Sequence, residues 1–326
     1  MVMPAKAKNN KSNSPSKTNW GEGRWKKMIV EQRKFLWSDD LIPVYAKWMG
    51  LRPGMVAVDV GCGLGYLGYT YWKYFGKGGK YIGIDLSEDL LKEAEQGAKV
   101  WARGGRHEFI RGDAHNLIFP DKSVDWVMCQ TLMMHLKEPQ KALKEMIRIL
   151  KPGGLFMCKE PDNLTGTLGR QFHTWYNLNF EDQMFMNRYH ILCHIGRKKL
   201  GRGDDTIGNK IPHILAALGM VDIDVRLNDK VWFFQPPYAS EVQKHRMKSI
   251  VENLNDRQER KFWMDMAKEE ILAGGGKLSD FKRANEIMKK MRAIGRKQLR
   301  ENRLASCSGG FFYIIKARRP KRLRKN

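Results

Sequence analysis

The sequence predicts an α/β fold, a parallel sheet with helices on both faces. Three observations carry that expectation. Short apolar runs alternate with helical patterns between residues 55 and 160. The first run opens into a glycine-rich loop, Gly61-Cys62-Gly63-Leu64-Gly65, and the second ends in an acid, Asp85, twenty residues beyond Gly65.

The elements follow in order. The segment to about residue 18 is rich in Lys, Asn and Ser and reads as disordered. Then Phe35, Leu36, Leu41, Val44, Tyr45 and Trp48 recur at helix-compatible spacing. Strands are expected at 55–60, 81–84, 108–110, 124–129 and 155–159. Leu143, Met146, Ile147 and Leu150 mark one face of a helix, which Lys151-Pro152-Gly153-Gly154 stops. Beyond residue 160 the pattern loosens. A short helix is expected at 210–218, closed by Gly219, and a long edge strand at 221–234. Residues 239–304 read as helices, with stripes Met247, Ile250, Val251, Leu254 and Phe281, Ala284, Met288, Met291 on either side of Gly274-Gly275-Gly276. Residues 311–315 form a last compact strand. The expected organisation is a basic arm (1–34), an α/β core (35–160) and a segment with a lid, a helix and a sixth strand (161–238). A basic helical insertion (239–304), a seventh strand (305–317) and a basic tail (318–326) complete it.

Composition narrows the function classes. The 326 residues hold 59 Lys and Arg against 35 Asp and Glu, a net charge of +24, and 42% are hydrophobic. That apolar share excludes a wholly disordered chain. No run of about 18 apolar residues occurs, so no transmembrane helix is expected, and the N-terminal stretch lacks the apolar region of a secretory leader. Cys62, Cys129, Cys158, Cys193 and Cys307 include no C-x-x-C pair, which argues against a disulfide framework or a zinc cluster and for a reducing, cytoplasmic setting. The charge is uneven. Residues 1–34 carry nine Lys and Arg against two Glu, residues 241–326 carry 24 against 10, and the remainder is nearly balanced. Basic ends on a neutral centre suit RNA or another polyanion, an acidic membrane or an acidic protein, or serve solubility alone.

The loop between the first strand and the next helix is where glycines let a backbone approach a ligand closely. An acid at the end of the second strand can accept both hydroxyls of a ribose. Gly63-x-Gly65-x-x-Gly68 also fits the dinucleotide fingerprint, and a tight turn without a ligand stays open as well. The third strand separates the nucleotide readings. Phe109-Ile110-Arg111-Gly112-Asp113-Ala114 is followed by Leu117, Phe119-Pro120, Asp121, Ser123 and Val124-Asp125. With these residues the sequence resembles the class I S-adenosylmethionine (SAM) dependent methyltransferases, particularly the branch with a D-V-G-C-G-x-G first motif. The likeness runs over roughly residues 40–160 and takes in Asp125, Cys129-Gln130 and Leu150-Lys151-Pro152-Gly153-Gly154.

The resemblance implies a Rossmann-like seven-stranded sheet whose last strand runs antiparallel beside the sixth. Residues 221–234 and 311–315 would supply those two strands here, and the helical insertion makes the connection between them unusually long. It implies SAM as cofactor. Gly61, Gly63 and Gly65 would lie beneath its methionine part, and Asp59 would orient the amino group. Asp85, with Leu86 beside it, would hold the ribose. Asp113 would meet the adenine amine, Ala114 would lie against the ring, and Cys129 and Gln130 would border the donor methyl. Cys129 is equally a small core residue. Pro236-Pro237-Tyr238 resembles the tail of the amine-methylating N/D-P-P-Y/F motif but follows the wrong strand, so it reads as a loop. The eight histidines show no ligand-like pair on one helix face, and no metal is expected.

Two long segments, 160–205 and 239–304, leave the sheet at its ligand edge and read as a lid and acceptor pocket. The first holds His173, Trp175, Tyr176, Phe180, Tyr189 and His190. Of these, His173, Tyr176, Tyr189 and His190 are candidates to touch an acceptor, the alternative being that they pack the lid's own core. His135, just past the fourth strand, is the candidate general base, or else an exposed helix-start residue; Glu160 is the reserve. The expected activity is methyl transfer to a small molecule in a lid-covered pocket. The alternatives are an RNA- or ribosome-directed methyltransferase using the basic arms and a non-catalytic SAM-fold assembly factor. Arg318-Arg319-Pro320-Lys321-Arg322 would also serve as a nuclear address in a eukaryotic host.

Overall fold

Consecutive apolar residues make strands buried on both faces, and such strands assemble into parallel sheets. The computed structural model describes residues 36–171, 178–228 and 232–321, with Gly23 and Lys26. The expected disordered arm to residue 18, the tail beyond residue 321, and His173, Trp175 and Tyr176 of the lid lie outside the described residues.

The core runs α1 (Ile42–Met49), β1 (Val56–Val60), α2 (Tyr66–Phe75), β2 (Lys80–Asp85), α3 (Glu88–Trp101), β3 (Arg106–Arg111), β4 (Val124–Gln130), α4 (Pro139–Ile149) and β5 (Leu150–Pro161). Then come α5 (Asn163–Gln171), α6 (Phe180–Lys199), α7 (Ile211–Ala217), β6 (Val221–Leu227) and β7 (Trp232–Phe234). The chain closes with α8 (Glu241–Asn255), α9 (Arg257–Ala273), α10 (Leu278–Arg300), β8 (Ser306–Ser308) and β9 (Phe312–Arg318). Seven strands form one sheet in the order β3-β2-β1-β4-β5-β9-β6. Strands β1 to β5 pair in parallel, while β9 runs antiparallel to both β5 and β6. The Rossmann-like expectation is met, with the helical insertion between β6 and β9.

Successive strand residues point to opposite faces. Val58, Val127 and Phe156 therefore pack under α4 and α7, while Ala57, Trp126 and Leu155 pack under α1 and α2. Each large side chain buried this way stabilises the fold by about 1.5–3 kcal/mol.

Three expectations are corrected. The run 221–234 is not one edge strand: β6 stops at Leu227, and β7 pairs instead with β8 in a separate two-stranded sheet. Asn228 is the last residue to pair with β9, its N–H donating to the Phe312 carbonyl at 2.9 Å and its Oδ1 accepting the Phe312 N–H at 2.8 Å. The last strand reaches Arg318, and the arginines read as the start of a free basic tail belong to the fold. Arg318 donates to the carbonyls of Gly153 (3.1 Å) and Met49 (3.3 Å). Arg319 Nη1 donates to the carbonyls of Ile147, Arg148 and Leu150 at 3.0, 2.8 and 2.6 Å. A cation there complements the negative end of the α4 dipole, adding a charged donor to carbonyls that already accept the Leu150 and Lys122 N–H groups. Finally, the lid helix and the insertion are one unit, because α6 packs on α9 and α10 around Met186, Tyr189, Ile271, Ala284 and Ile287.

Candidate functional site

The candidate residues gather along one edge of the sheet, at the carboxyl ends of β1 to β5, where the order reverses between β1 and β4. Such an edge is where open α/β sheets bind ligands. Gly61, Gly63 and Gly65 follow β1 with φ of 69°, 52° and 73°, a left-handed path that costs other residues strain. A Cβ on Gly61 would come within 2.8 Å of Leu132, whereas one on Gly63 would meet nothing within 4 Å, so open space lies above Gly63. The loop is latched by the Cys62 N–H to the Ile84 carbonyl (2.9 Å).

Asp85, the last residue of β2, accepts the Gly63 N–H on one oxygen and the Ser87 N–H on the other, each at 2.9 Å. The two bonds fix the carboxylate and leave lone pairs on both oxygens for further donors. Leu86 beside it is 64% exposed. Past β3, Asp113 is exposed and accepts both the His115 backbone N–H (2.9 Å) and the ring Nδ1 (2.7 Å). Partial burial opposes its charge, but the His115 contacts hold the carboxyl below its usual range. Ala114 is buried next to it. Asp59 is buried in β1 and accepts the Tyr81 hydroxyl at 2.9 Å.

At the end of β4, Cys129 is fully buried and faces Cys158 across the β4–β5 register. Its hydrogen bond with Cys158, together with burial, pushes its thiol well above the ordinary value, the opposite of a reactive thiolate. Gln130 is buried too. Its Oε1 accepts the Trp37 indole N–H at 2.8 Å, and its Nε2 is buried without a hydrogen-bond partner. Sequence reasoning missed the residues that hold this corner. Lys159, fully buried on β5, donates to the Leu36 carbonyl and lies 3.9 Å from the Trp37 ring centroid. The signal was a lysine between Cys158 and Glu160 in an otherwise apolar strand.

Glu160 accepts three successive backbone N–H groups, those of Leu132 (2.8 Å), Met133 (2.9 Å) and Met134 (3.3 Å). Its carboxylate thus holds the 3-10 turn Met133–His135, which carries half-buried His135. Tyr189 is buried in the core of the α6–α9–α10 bundle, where burial raises its hydroxyl pKa well above the usual value. His190, half-buried, lies with its ring 5.5 Å from that of Tyr189. The structure thus brings Asp59, the three glycines, Asp85, Asp113, Gln130 and the His135 turn to one edge, and it sets Tyr189 inside the bundle.

This fold and edge define an open, doubly wound α/β protein whose candidate ligand crevice lies at the carboxyl ends of its strands. The model of the methyltransferase-domain family matches residues 51–219. A demethylmenaquinone methyltransferase of Geobacillus kaustophilus is 34% identical over 211 residues, covering 62% of this chain and 85% of that protein. Among solved structures, a SAM dependent methyltransferase from Aquifex aeolicus is 28% identical, covering 42% of this chain and 71% of that one, with a TM-score of 0.37. The phosphoethanolamine N-methyltransferase 2 of Haemonchus contortus, solved with SAM, is 17% identical over 86% of this chain and 52% of that one, with a TM-score of 0.44. The chain belongs to the methyltransferase-domain family: it is a class I SAM-dependent methyltransferase, and SAM is its cofactor.

Proposed function

We propose that the protein transfers a methyl group from SAM to a small-molecule acceptor held between the sheet edge and the α6–α9–α10 bundle. The observation that carries the donor side is Asp85, fixed by Gly63 and Ser87 with acceptor capacity to spare beside the open space over Gly63. Asp85 and Leu86 meet the ribose, and Asp113 and Ala114 meet the adenine. Asp59 orients the amino group, and Cys129 and Gln130 border the methyl. The demethylmenaquinone methyltransferase relative supports a small-molecule acceptor.

SAM supplies a methyl group already activated by its sulfonium. The protein's work is to align the acceptor with that methyl and to exclude water. Where the acceptor carries a proton, His135 accepts it. Glu160 is the positioning residue for the turn that carries His135, not the base. His173, Tyr176 and His190 are the acceptor-side candidates on the lid, and Tyr189 packs against the His190 ring from the bundle core.

Asp85→Ala is expected to weaken SAM binding by about 1.5–3 kcal/mol in calorimetry, the worth of a charge-assisted contact. Unchanged SAM affinity overturns the site, and NADH competing at comparable affinity supports the dinucleotide reading. His135→Ala is expected to slow transfer while leaving SAM affinity unchanged. Loss of SAM binding in that variant would place His135 in the donor site instead.

A further inference from the structure

Basic side chains far in excess of acidic ones converge on a groove between α9 and α10. The groove encloses about 480 Å³, with Arg257, Arg260, Lys261 and Lys268 around one acid, Asp265, and with Met264 and Phe281 as its apolar lining. Lys261 pairs with Asp265 at 3.0 Å. Among the described residues no carboxylate stands within ion-pair distance of Arg257, Arg260 or Lys268. Arg260 donates one terminal nitrogen to the Asp256 carbonyl at 3.3 Å, and its Nε is buried without a hydrogen-bond partner. Arg292 of α10 stands near Arg260 and Arg296, and burial together with these two like charges holds its guanidinium below the ordinary value. Clustered cations of this kind oppose folding by mutual repulsion, and an unpaired buried donor adds a desolvation cost. An anion seated among them relieves both.

The charge continues beyond the groove. Lys282, Lys289, Lys297 and Arg300 are exposed and, by the helical period, share one side of α10. Over its 23 residues that helix extends about 35 Å.

We propose that the α9–α10 groove and the adjoining face of α10 form a binding track for single-stranded nucleic acid, with one backbone phosphate seated against Arg260. Concavity favours this occupant over an acidic membrane. A flat bilayer reaches the exposed lysines but not the recessed Arg260 and Arg292, whereas a phosphodiester chain threads a groove. A guanidinium fork fits a phosphate, and Phe281 with Met264 offers an apolar surface on which a base rests without being read. None of the groove residues lies on the donor edge, so the proposal does not rest on the identity of the acceptor.

The test is fluorescence anisotropy of full-length protein with a labelled twelve-nucleotide oligouridine across a salt series. Arg260→Gln with Lys268→Gln is compared with Lys92→Gln and Lys99→Gln on α3, which removes equal charge elsewhere. The groove variant is expected to bind roughly tenfold more weakly, with a log–log salt slope shallower by about 1.4, the share of two phosphate contacts. The α3 variant is expected to change affinity less than about twofold. Arg260→Lys, which keeps the charge, is expected to restore the slope more fully than the affinity. Circular dichroism and retained SAM binding confirm that each variant is folded. Equal losses in the groove and α3 variants, or no RNA retention at low salt, overturn the proposal. So does a groove variant that loses phosphatidylglycerol vesicles while keeping RNA.

Discussion

The sheet and the helical bundle are stabilised by different means. In the sheet, Trp126, Phe156, Leu155 and their neighbours are wholly buried between helices on two faces, and hydrophobic burial dominates. In the bundle the buried apolar core among the described residues is five residues, and polar contacts fill the gaps. His194 Nδ1 lies 2.5 Å from Asp205, Arg197 and Arg202 flank Glu270, and Lys210 and Lys198 reach Asp204 at 2.7 and 3.1 Å. Two helices also meet at backbone distance. A Cβ on Gly196 of α6 would lie 1.7 Å from the Glu270 carbonyl of α9, and one on Gly274 would lie 1.9 Å from the Leu192 carbonyl. The candidate donor residues sit on the rigid part, where strand ends fix their positions. The proposed acceptor residues and the basic groove sit on the part held by charge and close approach, which tolerates adjustment at lower cost.

The contrast is broken most directly in the sheet. Trp126→Ala removes a fully buried ring from β4 and is expected to cost about 3–5 kcal/mol, read by urea unfolding. SAM binding is expected to fall with the folded fraction. Intact stability in this variant would show that the sheet is not the dominant core.

A smaller effect is expected from Gly196→Ala. In an isolated helix alanine is better than glycine by about 1 kcal/mol, so a loss here reads only the crossing with α9. About 2–3 kcal/mol of bundle stability is expected to go, as for an overpacked core, seen as faster proteolysis within 180–300 while SAM affinity stays the same. A gain in stability would mean that the helices do not meet so closely.

The smallest and most conditional effect concerns Asp204. Burial opposes its charge, yet hydrogen bonds from Lys210, Thr206 and Lys198 hold its carboxyl well below the usual carboxylate range. A depressed folded pKa stabilises above the unfolded value of about 4 and is lost as pH falls through the folded one. Asp204→Asn is therefore expected to cost about 1–2 kcal/mol near neutral pH, a gap that stays constant down to about pH 5 and narrows below about pH 4. A gap that widens on acidification sinks the assignment.

Much of the geometry of the candidate donor edge was legible because its determinants are local. Glycines at 61, 63 and 65 imply a left-handed loop, and Asp85 and Asp113 stand at strand ends that an apolar run already marks. The limits of the run 221–234 were not legible, since β7 reads as strand by itself and only the distant partner β8 decides which sheet it joins. Glu160 offered a carboxylate with no sign of its partners, the three N–H groups of a turn about 28 residues earlier.

By itself the sequence determined the alternation of strand and helix, the glycine loop, the acids that follow it and the basic excess at both ends. These rest on periodicity, backbone sterics and charge, which neighbouring residues settle among themselves. Tertiary structure alone decided that α6 joins α9 and α10, that Gly196 and Gly274 admit a backbone crossing, and that Lys159 and Trp37 hold Gln130 in place. It also decided that Arg318 and Arg319 cap carbonyls within the fold instead of extending as a free tail. Each of these joins residues far apart in the chain, and a side chain's chemistry does not state which distant group will meet it.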